Sequence, residues 1–134
     1  MSHIVRGDTV MPQVIIHLGT SIDNDGKDRL AKSIRELIPS VLGIDEKIGQ
    51  VLLYESSHRA TYTTRDANFV FVQVNMYTGR SLELKAKLAA AIIAEIHKYT
   101  MVACNDINLG FYELTPDNYF GGISHKYIEE LRNK

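Results

Sequence analysis

Several things are scarce in this chain, and each scarcity excludes a class of protein. A single cysteine, Cys104, occurs in 134 residues, so no disulfide can close within the chain and no cysteine-rich zinc site can be built; a reducing compartment is expected. Neither sign of charge is in excess, with 15 Lys and Arg against 16 Asp and Glu. The electrostatic footprint of a protein that binds nucleic acid or an anionic membrane is therefore missing. No apolar run approaches the roughly 20 residues of a membrane span. Residues 1–10 hold no secretory apolar core, so a cytoplasmic location is expected. A phosphate-cradling loop is absent too: Gly79-Arg80-Ser81 lacks spaced glycines, and Gly121-Gly122 lacks a following Lys-Ser. The five histidines show no metal-ligand spacing, and no metal or cofactor is expected.

What is present is organised around Phe69–Tyr99. Phe69–Met76 is strongly β-prone, with Val70, Val72, Val74 and Met76 on one face and Phe69, Phe71, Gln73 and Asn75 on the other. Thr78-Gly79 breaks this strand, and Ser81 is a good helix N-cap with Glu83 in the first turn. Leu84, Leu88, Ala91, Ile92 and Ile96 then recur at helical spacing, leaving Lys85, Lys87, Glu95 and Lys98 for the wet side. Ile107–Glu113 closes a βαβ unit after the turn at Cys104-Asn105-Asp106.

The front of the chain repeats this order. Pro12–Leu18 reads as a strand, followed by Gly19-Thr20-Ser21. A helix over Lys27–Leu42 carries Leu30, Ile34, Leu37, Val41 and Leu42, and Gln50–Glu55 closes the unit. The Gly-x-Ser turns are 60 residues apart and the Tyr-Glu pairs 58 apart, which reads as an internal duplication. One domain is expected over residues 11–134, its repeats at 12–57 and 69–122, with residues 1–10 as an appendage. Pro39 is expected to kink or tighten the end of the first helix. Ser56–Asn68 is the long polar connection and contains His58, Arg59, Tyr62 and Arg65. A short final helix over Ser124–Lys134 would dock through Tyr127, Ile128 and Leu131.

Right-handed crossovers put both helices on one side of the sheet. The other face would carry Phe69 and Phe71, together with either Val14 and Ile16 or Ile15 and His17 from the first strand. Such a face is too apolar to leave wet, so a homo-oligomer is expected.

Most candidates for chemistry have ordinary readings. His17 reads as a core or interface histidine, and His3, His97 and His125 as solvent-facing. His58 lies near Arg59 but is a lone loop histidine. Cys104, at a helix end, reads as structural, and Arg6-Gly7-Asp8 as a chance tripeptide. Arg80 is sharper: at a strand-to-helix turn, its guanidinium and the helix N–H groups can jointly hold a carboxylate. Its plainer role is a surface salt bridge to Glu83.

Met11-Pro12 before an apolar strand, Gly79-Arg80-Ser81 with Lys85 four residues on, and Asp106, Ile107, Leu109 and Glu113 leading to Asp117–Gly122 form an ordered set. None is diagnostic alone. Together they resemble the tautomerase superfamily, which includes 4-oxalocrotonate tautomerase, 5-carboxymethyl-2-hydroxymuconate isomerase, malonate semialdehyde decarboxylase and macrophage migration inhibitory factor. The resemblance covers Met11 to about Gly122. It implies an α+β fold, a duplicated β-α-β with a four-stranded mixed sheet and two helices on one face, and a homotrimer working without cofactor on a small carboxylate-bearing substrate. It further implies that Pro12 is the catalytic base, that Arg80 binds the carboxylate, and that Tyr119 or Phe120 lines the pocket. Departures are Thr20 where an arginine could stand, and Gln50 and Asn108 at strand starts where some relatives carry a second arginine. Arg59 or Arg65 could substitute from the connecting arm. Acidic or histidine partners for decarboxylation or dehalogenation are not evident at matching positions, which favours plain tautomerisation; the alternatives are a decarboxylase or dehalogenase-type relative on the same scaffold and a non-catalytic oligomer with a blocked proline.

An α-amine titrates near neutrality, at about 7.7–8.0 in model peptides, and an apolar pocket with a nearby arginine lowers it into use as a base. An amide nitrogen cannot do this. Codons for Arg6-Gly7-Asp8 can contain a purine run of the bacterial ribosome-binding kind, spaced from Met11 by Thr9-Val10. Translation from Met11 and removal of that methionine would leave a free Pro12, and this is the expectation for the mature chain.

Overall fold

The computed structural model describes residues 11–61 and 68–120. The expectations for residues 1–10, for Tyr62 and Arg65, for Gly121-Gly122 and for a helix over Ser124–Lys134 lie outside them. The element order is β1 (Gln13–Gly19), α1 (Asn24–Leu42), β2 (Gln50–Glu55), β3 (Phe69–Tyr77), α2 (Leu82–Thr100) and β4 (Ile107–Leu114). Short 3-10 turns cover Cys104–Asp106 and Pro116–Asn118. The strands form one mixed sheet in the order β2-β1-β3-β4. β1 runs parallel to β2 and antiparallel to β3, and β3 runs parallel to β4.

Alternation along the strands builds the core. Val14, Ile16 and Leu18 of β1 pair with Val74, Val72 and Val70 of β3, and all six are buried beneath the helices. The helices answer with Leu30, Ile34 and Ile38 from α1 and Leu88, Ile92 and Ile96 from α2, also buried. Ile38 takes the inward place that helical spacing alone assigned to Leu37. Ser33 Oγ donates to Glu95 Oε2 between the two helices, so Glu95 is not on the wet side. His97 is likewise not solvent-facing: its Nδ1 donates to the Val102 carbonyl at 2.8 Å. α1 runs through Pro39 without ending there, and Gly43 and Ile44 both donate backbone N–H groups to the Pro39 carbonyl.

The internal duplication has a constant offset of 58 residues, not 60 at the turns. α1 and α2 each have 19 residues, and the buried Leu30, Ile34 and Ile38 of the first correspond to Leu88, Ile92 and Ile96 of the second at a difference of 58. The physical reason is the cap. Asp23, three residues before Gly26, accepts from the Gly26 N–H at 2.7 Å, whereas in the second unit Ser81 accepts from Leu84 N–H at 3.1 Å. Ser21 is left in the turn. The counterpart of Arg80 is thus Ile22, while Thr20 corresponds to Thr78.

The helix-free face takes Ile15 and His17 from β1. It is divided in character. At one end the rings of Tyr54, His17 and Phe71 stack across β2, β1 and β3, with centroid separations of 6.0 and 5.9 Å. At the other end, polar amides replace the aromatics: Gln50, Gln13 and Asn75 lie side by side in register.

Candidate active site

The antiparallel pairing of β1 and β3 decides which sequence candidates meet. Gln13 is opposite Asn75, so Pro12, just ahead of β1, stands at the end where β3 runs out into Tyr77, Gly79 and Arg80. Pro12 is buried, and its carbonyl accepts the Gln50 backbone N–H at 3.2 Å. Gly49 precedes this bond with a φ of 119°, a conformation that favours glycine, and a Cβ there would find only ordinary contacts, so the backbone angle and not the space calls for glycine. Met11, on the other side of Pro12, is only 5% exposed.

Arg80 is half-buried between Gly79, with φ 115°, and Ser81, the N-cap of α2. It makes no salt bridge to Glu83 among the described residues, so the plainer role foreseen for it is not the one seen. The cation that is tied down is Lys85, whose Nζ is 2.8 Å from Glu113 Oε1 and 5.9 Å from the Phe111 ring centroid. Thr78 N–H donates to the Leu114 carbonyl at 3.0 Å, which closes the sheet beside this turn. Tyr119, carried back by the Pro116–Asn118 turn, sets its ring edge-on to Tyr77 with centroids 6.1 Å apart. Pro12, Arg80 and Tyr119 thus share one end of the sheet. A buried proline, a guanidinium beside helix N–H groups and an aromatic wall together can hold a carboxylate next to the start of β1.

Arg59 is elsewhere. Its Nη1 donates to the Ser56 carbonyl at 2.8 Å, its Nη2 is 3.5 Å from Asn68 Oδ1, and its Cδ lies 3.2 Å from where a Cβ on Gly19 would be. Gly19 ends β1, seven residues from Pro12, a separation of about 23 Å at strand rise. Within one protomer Arg59 does not join Pro12. Arg65 lies outside the described residues.

Sequence reasoning missed a chain of amides on the open face. Gln73 Nε2 donates to Asn75 Oδ1, Asn75 Nδ2 to Gln13 Oε1, and Gln13 Nε2 to Gln50 Oε1, at 3.0, 3.0 and 2.6 Å. The alternation placing Gln73 and Asn75 on one face was visible, but the register that brings Gln13 and Gln50 beside them was not.

Two concavities are walled by neither Pro12 nor Arg80. A groove of about 640 Å³ is walled by Lys32, Arg35, Glu36, Pro39, Glu46 and Lys47. Charged side chains of both signs surround it. A second, of about 270 Å³ and with Thr20 and Met101 on its wall, is at the far end of the sheet. Among the described residues, no group of three or more His, Cys, Asp or Glu side chains could hold a metal, and no helix is long and apolar enough to cross a membrane.

Comparison with known proteins adds three findings. A family model described as tautomerase enzyme matches residues 50–121, more than half of the chain. No curated protein sequence matches. Solved structures with the same fold include a fused 4-OT wild type symmetric trimer, at 17% identity and a TM-score of 0.72, covering 84% of this chain and 98% of that one. Macrophage migration inhibitory factor of Toxoplasma gondii gives 20% identity and a TM-score of 0.71, with 81% and 100% covered. A malonate semialdehyde decarboxylase inhibited by 3-bromopropiolate gives 24% and 0.70, with 90% and 97% covered. At these identities the likeness is one of fold.

Proposed function

Because this chain belongs to the tautomerase enzyme family, we propose that it is a cofactor-independent keto–enol tautomerase of small 2-oxo acids or unsaturated dicarboxylates. Pro12 is the base, acting through a free secondary amine, and Arg80 holds the substrate carboxylate. One observation carries this reading: the β1–β3 register puts Pro12 and the Gly79-Arg80-Ser81 turn at the same end of the sheet. The proline takes a proton from the carbon next to the keto group, and the electron pair moves onto the carbonyl oxygen. Arg80 stabilises the negative charge that spreads through the enolate, an electrostatic gain that exists mainly in the transition state. Returning the proton at the other end of the conjugated system completes the isomerisation, with no net loss or gain of atoms. Tyr119 walls the pocket and excludes water.

The working unit is a homotrimer in this proposal, with the helix-free face covered by neighbouring copies. Fused symmetric trimers with this fold support it. Since Arg59 lies at the far end of its own sheet, it serves the Pro12 site only from a neighbouring copy.

Met11 supports a second reading. Its side chain is packed away and its peptide bond makes the Pro12 nitrogen an amide, which suits a tautomerase-fold oligomer that binds carboxylates without turning them over. One comparison separates the two. A chain beginning at Pro12 is expected to ketonise the enol of phenylpyruvate, and the 134-residue chain is expected to be inactive. Inactivity of both, with the fold retained, would remove the catalytic reading; equal activity of both would remove the proline from it.

A further inference from the structure

The amides that cross the open face form one directed chain, from Gln73 to Asn75 to Gln13 to Gln50. Each inner member accepts one hydrogen bond and donates one. The chain ends at Gln50. Its carbonyl oxygen is taken by Gln13, at the short distance of 2.6 Å, and its NH2 group has no acceptor among the described residues. The orientation of that amide is therefore set from behind, with both hydrogens left for an outside partner. The Gln50 backbone N–H is bonded to the Pro12 carbonyl, so the residue that carries this oriented donor neighbours the proline at the start of the sheet.

We infer that Gln50 is the second substrate contact of the Pro12 site, and that by presenting a neutral N–H donor it selects 2-oxo monocarboxylates over dicarboxylates. The inference rests on the reading of Pro12 and Arg80 given above and narrows its substrate class. Arg80 takes the one carboxylate. The Gln50 amide meets an uncharged oxygen, the keto or enol group, for which a neutral donor suffices. A second carboxylate there would have to leave water for an amide, forgoing the stronger charge-assisted bond that a guanidinium supplies, a handicap of about tenfold. Gln13 touches no substrate in this arrangement. It is a positioning residue that fixes which way the Gln50 amide faces, with Asn75 and Gln73 holding it in turn.

The test uses the chain beginning at Pro12 and two enols, that of phenylpyruvate with one carboxylate and 2-hydroxymuconate with two. The unsubstituted chain is expected to favour phenylpyruvate in kcat/KM. Gln50→Arg should move that preference toward the dicarboxylate by about tenfold. Gln13→Met, which keeps the volume but releases Gln50, should raise KM for phenylpyruvate several-fold while leaving kcat and the melting temperature in place. A preference for the dicarboxylate, or a ratio unmoved by Gln50→Arg, overturns the inference while the measured turnover leaves Pro12 and Arg80 in their roles. A Gln13→Met chain that loses kcat and stability together shows the amides to be structural and overturns it as well. If the unsubstituted chain turns over neither enol, the parent reading and this one fall together.

Discussion

Lys85 Nζ lies 2.8 Å from Glu113 Oε1, and 58 residues earlier Lys27 Nζ lies 3.0 Å from Glu55 Oε1. Each pair ties the first turns of a helix to the last residues of the parallel strand that follows it. The two bonds occupy corresponding places in the two repeats, so the same clasp is used twice, once at each end of the sheet. The Lys85 pair closes the end that holds Pro12.

Because these side chains are less than a third exposed, their coupling should be at the upper end of the range for surface pairs. A double-mutant cycle of Lys85→Met and Glu113→Gln is expected to give about 1 kcal/mol of coupling in urea unfolding. Coupling indistinguishable from zero would mean that the bond is a bystander.

Met101 ends α2 with φ 62°, in the left-handed region, where its counterpart Gly43 ends α1 with φ 67°. A side chain other than glycine is strained there. Met101 is also 75% exposed, so little packing offsets the strain. Met101→Gly should stabilise the fold by about 0.5–1 kcal/mol, and Gly43→Ala should destabilise it by about 1 kcal/mol. Thermal unfolding of both variants is the measurement, and a destabilised Met101→Gly would show that the methionine has a packing role of its own.

Arg80→Ala separates binding from folding. A charge-assisted bond to a ligand carboxylate is worth roughly 1.5–3 kcal/mol, and Arg80 makes no ion pair with Glu83 whose loss would weaken the fold. Affinity for a 2-oxo acid should fall by about tenfold or more while the melting temperature stays within a degree or two. A sharp fall in melting temperature with unchanged affinity would assign Arg80 to structure instead.

Ile15 and Gln73 are opposite one another at the centre of the helix-free face. A charge placed there meets the neighbouring copy of the proposed trimer but no buried group of its own protomer. Ile15→Arg should therefore sediment as a monomer with native circular dichroism. A trimer retained by this variant would place the contact between copies elsewhere.

Much of this molecule was legible in the chain. The strands show themselves by alternation, as in Val70, Val72, Val74 and Met76, and the helices by the spacing of Leu88, Ile92 and Ile96, because these patterns are local and repeat every 2 or 3.6 residues. Ser81 as a cap, the breaks at Gly79 and Gly19, and the duplication were equally local. Fold class and the pairing of Pro12 with Arg80 as candidates followed from motifs in order along the chain.

Other features depended on contacts between residues distant in sequence. The offset of 58 depended on which residue caps α1, and Asp23 wins over Ser21 because its carboxylate reaches the Gly26 N–H. The face of β1 that looks away from the helices depended on pairing Gln13 with Asn75 rather than with a neighbour one residue along, and a slip of one would reverse every side chain. The parallel pairing of β2 with β1 sends Arg59 to the far end from Pro12, the turn after β4 brings Tyr119 back to the near end, and the two registers of β1 together join Gln73, Asn75, Gln13 and Gln50 into one chain. Sequence determines which residues can alternate, cap or turn, since those preferences act over a few bonds. Only the closed sheet decides which of them stand side by side, because register is settled by the burial of a whole face at once.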